Sequence, residues 1–102
     1  MAMLHIVNKS PFERVAFKSC LDHALAGDSI LMIGDAAVGA TDGTIFSDDL
    51  KTAMADKSVY VLGGDLAARG VNENRIIEGI KIVDYAGFVE LTVENDKTQS
   101  WV

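Results

Sequence analysis

Residues 29–33 (SILMI) constrain the fold of this chain more than any other segment. After Ser29, the apolar side chains of Ile30 to Ile33 follow one another without the polar and apolar alternation of a half-exposed strand. A strand of this kind is buried on both faces, as in a parallel sheet that is covered by helices. The segment therefore predicts an α/β fold in which helices connect parallel strands.

Residues 4–25 predict a strand, a turn and a helix. The apolar run at the start is broken by turn-forming residues, and a helix is expected to begin there. Ser10 is a suitable N-cap, Pro11 suits the first helical position, and Glu13 can complete a capping box. Apolar residues then recur at helical spacing until Gly27 ends the run.

Cys20 is the single cysteine of the chain and lies near the middle of the apolar arc of this predicted helix. One interpretation is a buried core thiol, because free cysteine packs as a small apolar side chain. The other is a sulfur-handling thiol, which requires exposure and a depressed pKa. The helical position alone favours the core thiol.

The rest of the chain alternates strands with short helices, which predicts a three-layer α/β sandwich around a mostly parallel sheet of four to five strands. This architecture is Rossmann- or flavodoxin-like, and residues 1–102 are expected to form one domain. The further predicted strands are residues 58–62, 80–83 and an edge strand at 99–102. The further predicted helices are a turn at 36–38, 49–55 capped by Ser47 or Asp48, 66–69 closed by Gly70, and 85–94 capped by Asp84.

Composition limits the classes of partner. A chain of 102 residues that is 49% apolar forms a core but leaves apolar surface, so we expect a partner subunit, or a homo-oligomer when the chain is isolated. The net charge of −6, without a basic cluster, argues against direct binding of nucleic acid. We also expect no leader and no membrane span, and the single cysteine fits a reducing cytoplasm.

Residues 34–41 (GDAAVGAT) have the glycine spacing of a phosphate-binding loop. Ala40 stands where that loop needs its lysine, and Asp35 would repel an anion. An ordinary turn between a strand and a helix is the better interpretation, so we expect neither ATP binding nor any other cofactor.

Gly63, Gly64 and Asp65 follow a predicted strand, at the end of the sheet where open α/β folds bind ligands. Their backbone amides could hold a small anion. Glycines are also what a tight turn requires. We keep these three residues as candidates for a ligand or interface site.

Histidine and tryptophan provide two further candidates. His5, His23 and Asp22 are metal-binding residue types but lack ligand spacing, so a hydrogen-bonded His5 and a solvated His23 are expected rather than a metal site. Trp101 is a large apolar ring near the end of the chain. It either folds back on its own domain or packs on a partner, since aromatic residues are enriched in interfaces.

The chain resembles the DsrH family, and more distantly its TusB branch. Four segments carry the resemblance: LHIVNKSPFER with Ser19 and Cys20, VYVLGGDLAARG at 59–70, VDYAGFVELT at 83–92, and the ending QSWV. The resemblance implies a subunit that assembles with homologous DsrE/TusD-like and DsrF/TusC-like subunits into a dimer of heterotrimers. Such complexes pass persulfide sulfur to carriers of the DsrC/TusE and TusA kinds, in sulfur oxidation or in 2-thiolation of tRNA wobble uridines.

One departure from the sister subunits bears on mechanism. The DsrE/TusD-like subunit carries its persulfide cysteine in the segment that corresponds to residues 62–70, and this chain has no cysteine there. That role cannot be transferred to this chain. Cys20 matches the cysteine of DsrH proteins that TusB proteins lack, so the resemblance favours a sulfur-binding role for Cys20 more than the helical pattern does.

The main hypothesis is a cytoplasmic sulfur-relay subunit without catalytic turnover of its own. Its expected interfaces are the sheet edge, the turn at Gly63 and Gly64, and the tail at Trp101. One alternative is a direct persulfide carrier through Cys20. Another is a homo-oligomeric module that binds a small anion at the strand ends.

Overall fold

The computed structural model describes residues 2–10 and 16–101, and its centre is a five-stranded sheet in which every strand pair is parallel. The order across the sheet is β4-β3-β2-β1-β5. The predicted α/β sandwich is confirmed, with five strands. The strands are β1 (Met3–Val7), β2 (Ser29–Met32), β3 (Ser58–Leu62), β4 (Lys81–Val83) and β5 (Lys97–Trp101).

In the described part of the chain, four α-helices and two 3-10 helices connect these strands. The α-helices are α1 (Ala16–His23), α2 (Ser47–Ala53), α3 (Gly63–Ala68) and α4 (Tyr85–Glu94). The 3-10 helices are Gly34–Ala40 and Glu73–Arg75. No helix among residues 2–10 and 16–101 is long and apolar enough to cross a membrane.

The predicted elements are all present, with shifted ends. Helix α3 begins at Gly63 rather than Leu66, and Gly63 and Gly64 belong to its first turn. The apolar pattern does not predict this start, because glycine has no side chain that contributes to such a pattern. Helix α2 has Phe46 at its N-cap, since the Ser47 hydroxyl accepts a hydrogen bond from the Thr44 N–H instead. The predicted capping role of Asp84 is confirmed by its bond from the Gly87 N–H (2.9 Å).

Helix α1 and the tail strand also differ at their ends. Helix α1 ends at His23 instead of Leu25, because the Leu25 N–H donates to the side chain of Asp28. The predicted start of this helix, with Pro11 and Glu13, lies outside the described residues. The tail strand is longer than expected and pairs with β1, while the predicted last residue, Val102, also lies outside the described part.

The strand order places helices on both faces of the sheet. The chain moves outward from β1 to β4 and then returns to add β5 on the other side of β1. Helices α1, α2 and α3 pack on one face, and α4 packs on the other. Every residue of β2 is buried, as the unbroken apolar run predicts. The larger core contains Val7, Phe17, Cys20, Ile30, Met32, Leu50, Val59, Val61 and Leu66, and the smaller core contains Leu4, Leu31 and Leu91.

Candidate functional site

Cys20 lies inside the larger core, on the side of α1 that faces the sheet. Its side chain is 0% exposed, and Val7, Phe17 and Ala24 belong to the same cluster of buried residues. The apolar arc of α1 places it there, as the helical pattern indicates. In this conformation the sulfur has no surface to present to another protein.

The surroundings of Cys20 also disfavour its thiolate. Burial is the larger cause and the nearby carboxylate of Asp28 the smaller one, and together they raise the pKa of the Cys20 thiol from 9.0 to about 12. Because the thiolate is the nucleophile and the sulfur acceptor, Cys20 is held in its unreactive form. A sulfur-handling thiol requires exposure and a low pKa, and this structure gives Cys20 neither.

Asp28, His5 and Trp101 form a chain of hydrogen bonds across the larger core. The Trp101 Nε1–H donates to His5 Nδ1 at 3.0 Å. An indole nitrogen can only donate, so Nδ1 must accept and the proton of His5 must lie on Nε2. His5 Nε2 then donates to Asp28 Oδ2 at 2.8 Å. His5 and Asp28 are both buried, and the predicted hydrogen-bonded core His5 is confirmed.

Asp28 directly precedes β2 and connects it to β1 and to the end of α1, at the amino ends of the strands. Its carboxylate accepts the N–H groups of Met3 (3.0 Å) and Leu25 (2.9 Å) in addition to His5. Burial on its own would raise the pKa of Asp28, but the bonds from Leu25, His5 and Met3 outweigh burial and lower the pKa below its ordinary value of 3.8. Asp28 is therefore a charged anchor for β1 and the end of α1.

Trp101 folds back on its own domain, which is one of the two alternatives that the sequence left open. The ring is half-buried against the larger core, and its centroid lies 5.6 Å from that of the His23 ring. His23 itself is exposed, as predicted, and its Nδ1 bonds to the Ser19 carbonyl oxygen at 2.8 Å. Within the described residues, His5, His23 and Asp22 belong to no group of three or more potential metal ligands.

The turns after β2 and β3 meet at the carboxyl edge of the sheet. The Gly34 N–H donates to Asp65 Oδ2 at 2.7 Å, and Gly34 has a φ of +53° with the Asn8 carbonyl oxygen close by. Arg69 forms an ion pair with Asp35 at 2.9 Å and approaches the Asp65 carboxylate at 3.9 Å. Asp65 thus ties the two turns together.

Gly63 and Gly64 have different surroundings in the first turn of α3. A Cβ at Gly63 would lie 3.0 Å from Ile82 Cγ2, so the absence of a side chain lets the helix approach β4. A Cβ at Gly64 would meet no atom within 4 Å. The carboxylate of Asp65 occupies the same turn, which makes the turn unfavourable for an anion.

From the sequence, no role is assigned to Asp28, and Asp65 is kept only as a candidate for a ligand or interface site. The pattern that could have paired Asp28 with His5 is a carboxylate directly before a fully buried strand, together with a histidine inside another strand. The contact between Asp65 and Gly34 spans 31 residues, and spacing alone does not predict it.

Comparisons with known proteins agree on one family. The protein-family model described as "DsrH like protein" matches residues 9–98. The chain is 35% identical over 99 residues to "Protein TusB" of Escherichia coli O81 (strain ED1a), covering 97% of this chain and 100% of that protein. It is 34% identical, with the same coverage, to "Protein TusB" of Escherichia coli K12 (strain DH10B).

Solved structures with the same fold are more distant in sequence. The crystal structure of the ychN protein from E. coli has a TM-score of 0.83 at 16% identity, covering 99% of this chain and 100% of that one. The Thermotoga maritima protein Tm0979, solved by NMR, has a TM-score of 0.66 at 24% identity, covering 92% and 93%. At these identities the likeness establishes the fold and nothing more.

Proposed function

The chain belongs to the DsrH family, and from this membership we propose that it is a non-carrying subunit of a cytoplasmic sulfur-relay complex. The observation that carries the proposal is identity of about a third along 97% of the chain with TusB proteins. In this role the chain assembles with homologous subunits of the DsrE/TusD and DsrF/TusC kinds. The cysteine of the DsrE/TusD-like subunit holds the persulfide, and the complex passes the sulfur to a DsrC/TusE-like or TusA-like carrier.

Two features of the chain support a non-carrying role. Residues 62–70 contain no cysteine, and Asp65 lies in the turn at the carboxyl end of β3. Cys20 is buried, and burial raises its pKa to about 12, so it lacks the accessible thiolate that sulfur transfer needs. The subunit therefore contributes surfaces and stability to the complex rather than a chemical step.

The two alternative functions, a direct persulfide carrier and an anion-binding module, have less support. A direct carrier requires Cys20 to leave the core, which would remove a buried side chain from beneath α1. An anion-binding module requires free amides at the strand ends, yet the Gly34 N–H already donates to Asp65, whose charge opposes an anion. The final acceptor, whether sulfur metabolites or tRNA, depends on the carriers that the whole complex meets.

Reconstitution with labelled sulfur tests the proposal. The chain and its two homologous subunits are incubated with a persulfide donor and a small carrier protein, and sulfur on the carrier is measured with and without this chain. We expect transfer to fall strongly when the chain is omitted and to persist with Cys20→Ala. Equal transfer without the chain would contradict the proposal.

The oligomeric state of the isolated chain is a separate expectation. Without its sister subunits the 10.9 kDa chain should self-associate, because its apolar fraction is high for its size. Sedimentation velocity at micromolar concentration checks this, and a pure monomer would contradict it.

A further inference from the structure

Helix α4 carries apolar side chains on the side that faces solvent as well as on the side that faces the sheet. Leu91 is buried, and Phe88 is half-buried beside it. On the outer side, Tyr85 is 74% exposed, Val89 45% and Val93 79%. These three residues are spaced by four, so they form one continuous row along the helix, here named the α4 stripe.

Helix α1 shows how a surface helix of this domain is normally built. It buries Phe17 and Cys20 and exposes the ion pair of Lys18 with Asp22. Helices at a protein surface have this division into an apolar and a polar side, whereas helices that are apolar on most sides are found buried. By this criterion α4 has the side chains of a helix that another protein covers.

The α4 stripe is continuous with the core beneath it. The ring of Tyr85 stacks on Phe88 with 5.9 Å between centroids and 25° between planes. Phe88 packs on the smaller core, and of the four described α-helices only α4 contributes to that cluster. Four residues around this cluster are only partly buried: Ile6, Tyr60 and Val83 of the sheet, and Ile33 directly after β2. A partner on α4 would therefore meet an apolar region wider than the helix alone.

Charge selects the kind of partner. Residues 84–96 contain four acidic residues, Asp84, Glu90, Glu94 and Asp96, and no lysine or arginine. Glu90 and Glu94 are four apart on the helix, where like charges repel, and Glu94 lies near the negative end of the helix dipole. A second copy of this chain would add the same carboxylates to the contact. A surface with lysine or arginine at its rim would relieve the repulsion.

We propose that the α4 stripe docks an apolar surface rimmed by basic residues on one of the homologous subunits of the complex. The inference rests on the proposed function and assigns it a specific surface. Tyr85 is the expected anchor, since tyrosine is enriched among the residues that contribute most to binding. Glu90 and Glu94 face the basic rim and fix the orientation of the partner.

Binding measurements on variants test this assignment. The probe is the pair of homologous subunits, purified together. The affinity of this chain for that pair is measured at low and at high salt. Val89→Gln with Val93→Gln removes two of the three apolar side chains of the α4 stripe, and glutamine forms helices at least as well as valine. Ile45→Gln is the matched control, because Ile45 is an equally exposed apolar residue (80%) on another surface. Urea unfolding of each isolated variant verifies that the fold is kept.

We expect the double valine variant to bind at least about tenfold more weakly and the Ile45 variant to bind like the wild type. Glu90→Gln with Glu94→Gln should weaken binding at low salt and have little effect at high salt. Unchanged affinity of the valine variant would overturn the docking surface and leave the proposed function standing. Tighter binding of the glutamine pair would contradict a basic rim and overturn the proposed partner. Self-association that depends on α4, in place of binding to the subunits, would assign the surface to a second copy. Failure of the wild-type chain to bind the subunits would remove both proposals.

Discussion

Trp101 and His5, which are 96 residues apart in sequence, are joined by a 3.0 Å hydrogen bond from the indole N–H to Nδ1. The bond links β5 to its neighbour β1, where His5 pairs with Gln99 and Val7 pairs with Trp101 in the parallel register. His5 in turn donates to Asp28 at the amino end of β2. The tail of the chain is thereby fixed to the centre of the sheet through buried polar groups.

Substitution of Trp101 separates the hydrogen bond from the packing of the ring. Trp101→Phe removes the donor and should lower the free energy of unfolding by about 1 kcal/mol. Trp101→Ala also removes the half-buried ring and should cost about 3 kcal/mol. Urea unfolding of the isolated chain measures both. If both variants kept wild-type stability and lost only assembly, Trp101 would be an interface residue rather than part of its own domain.

Asp28 should make stability depend on pH in the acid range. Its pKa is lowered in the folded chain, so its contribution is complete above the ordinary value of 3.8 and is lost as pH falls through the lower folded value. Asp28→Asn should remove this acid dependence and cost about 2 kcal/mol at pH 7, because the amide offers one acceptor oxygen where three donors converge.

The control for Asp28 is Asp96→Asn, which changes an exposed carboxyl. Chemical unfolding between pH 3 and pH 7 gives the two profiles. An Asp28→Asn variant with the same acid dependence as the wild type would show that other carboxyls cause it.

Cys20 should react slowly in the native chain. Its burial and raised pKa of about 12 leave little thiolate at neutral pH. We expect alkylation by iodoacetamide to be roughly 100-fold or more slower than in the urea-unfolded chain. Equal rates in the two states would show that the thiol opens readily to solvent and would favour the carrier alternative.

At the carboxyl edge of the sheet, Asp65 should contribute more to the stability of the fold than Arg69. Asp65→Ala leaves the Gly34 N–H without its acceptor and should cost about 1 to 2 kcal/mol. Arg69→Ala removes an exposed ion pair with Asp35 and should cost less than about 1 kcal/mol. Thermal unfolding of both variants checks the order. The reverse order would mean that the ion pair, not Asp65, holds the two turns together.

The architecture could be predicted because it depends on local patterns. The unbroken apolar run of β2 requires burial on both faces, and the chain alternates strands with helices. The N-cap at Asp84 and the glycine at Gly70, which has a φ of +68°, are also local features. Each of these follows from residues that are neighbours in sequence.

The polar contacts could not be predicted, because they join residues that are distant in sequence. Asp28 lies beside His5 only because the sheet places β1 next to β2, and the tail contact of Trp101 depends on the register of β5 against β1. The extra turn at the start of α3 was missed because glycine carries no apolar side chain to mark it. The position of Cys20 on its helix was predictable, but its pKa depends on Asp28 and on the packing of several elements.

The location of the sulfur in the assembled complex tests the non-carrying role of this chain most directly. The chain and its homologous subunits are incubated with a persulfide donor, and the intact mass of every subunit is measured without reducing agent. We predict an added sulfur atom on a sister subunit and none on this chain, with the same pattern for the Cys20→Ala variant. An added sulfur on this chain that is absent from the Cys20→Ala variant would contradict the non-carrying role and identify the chain as a carrier.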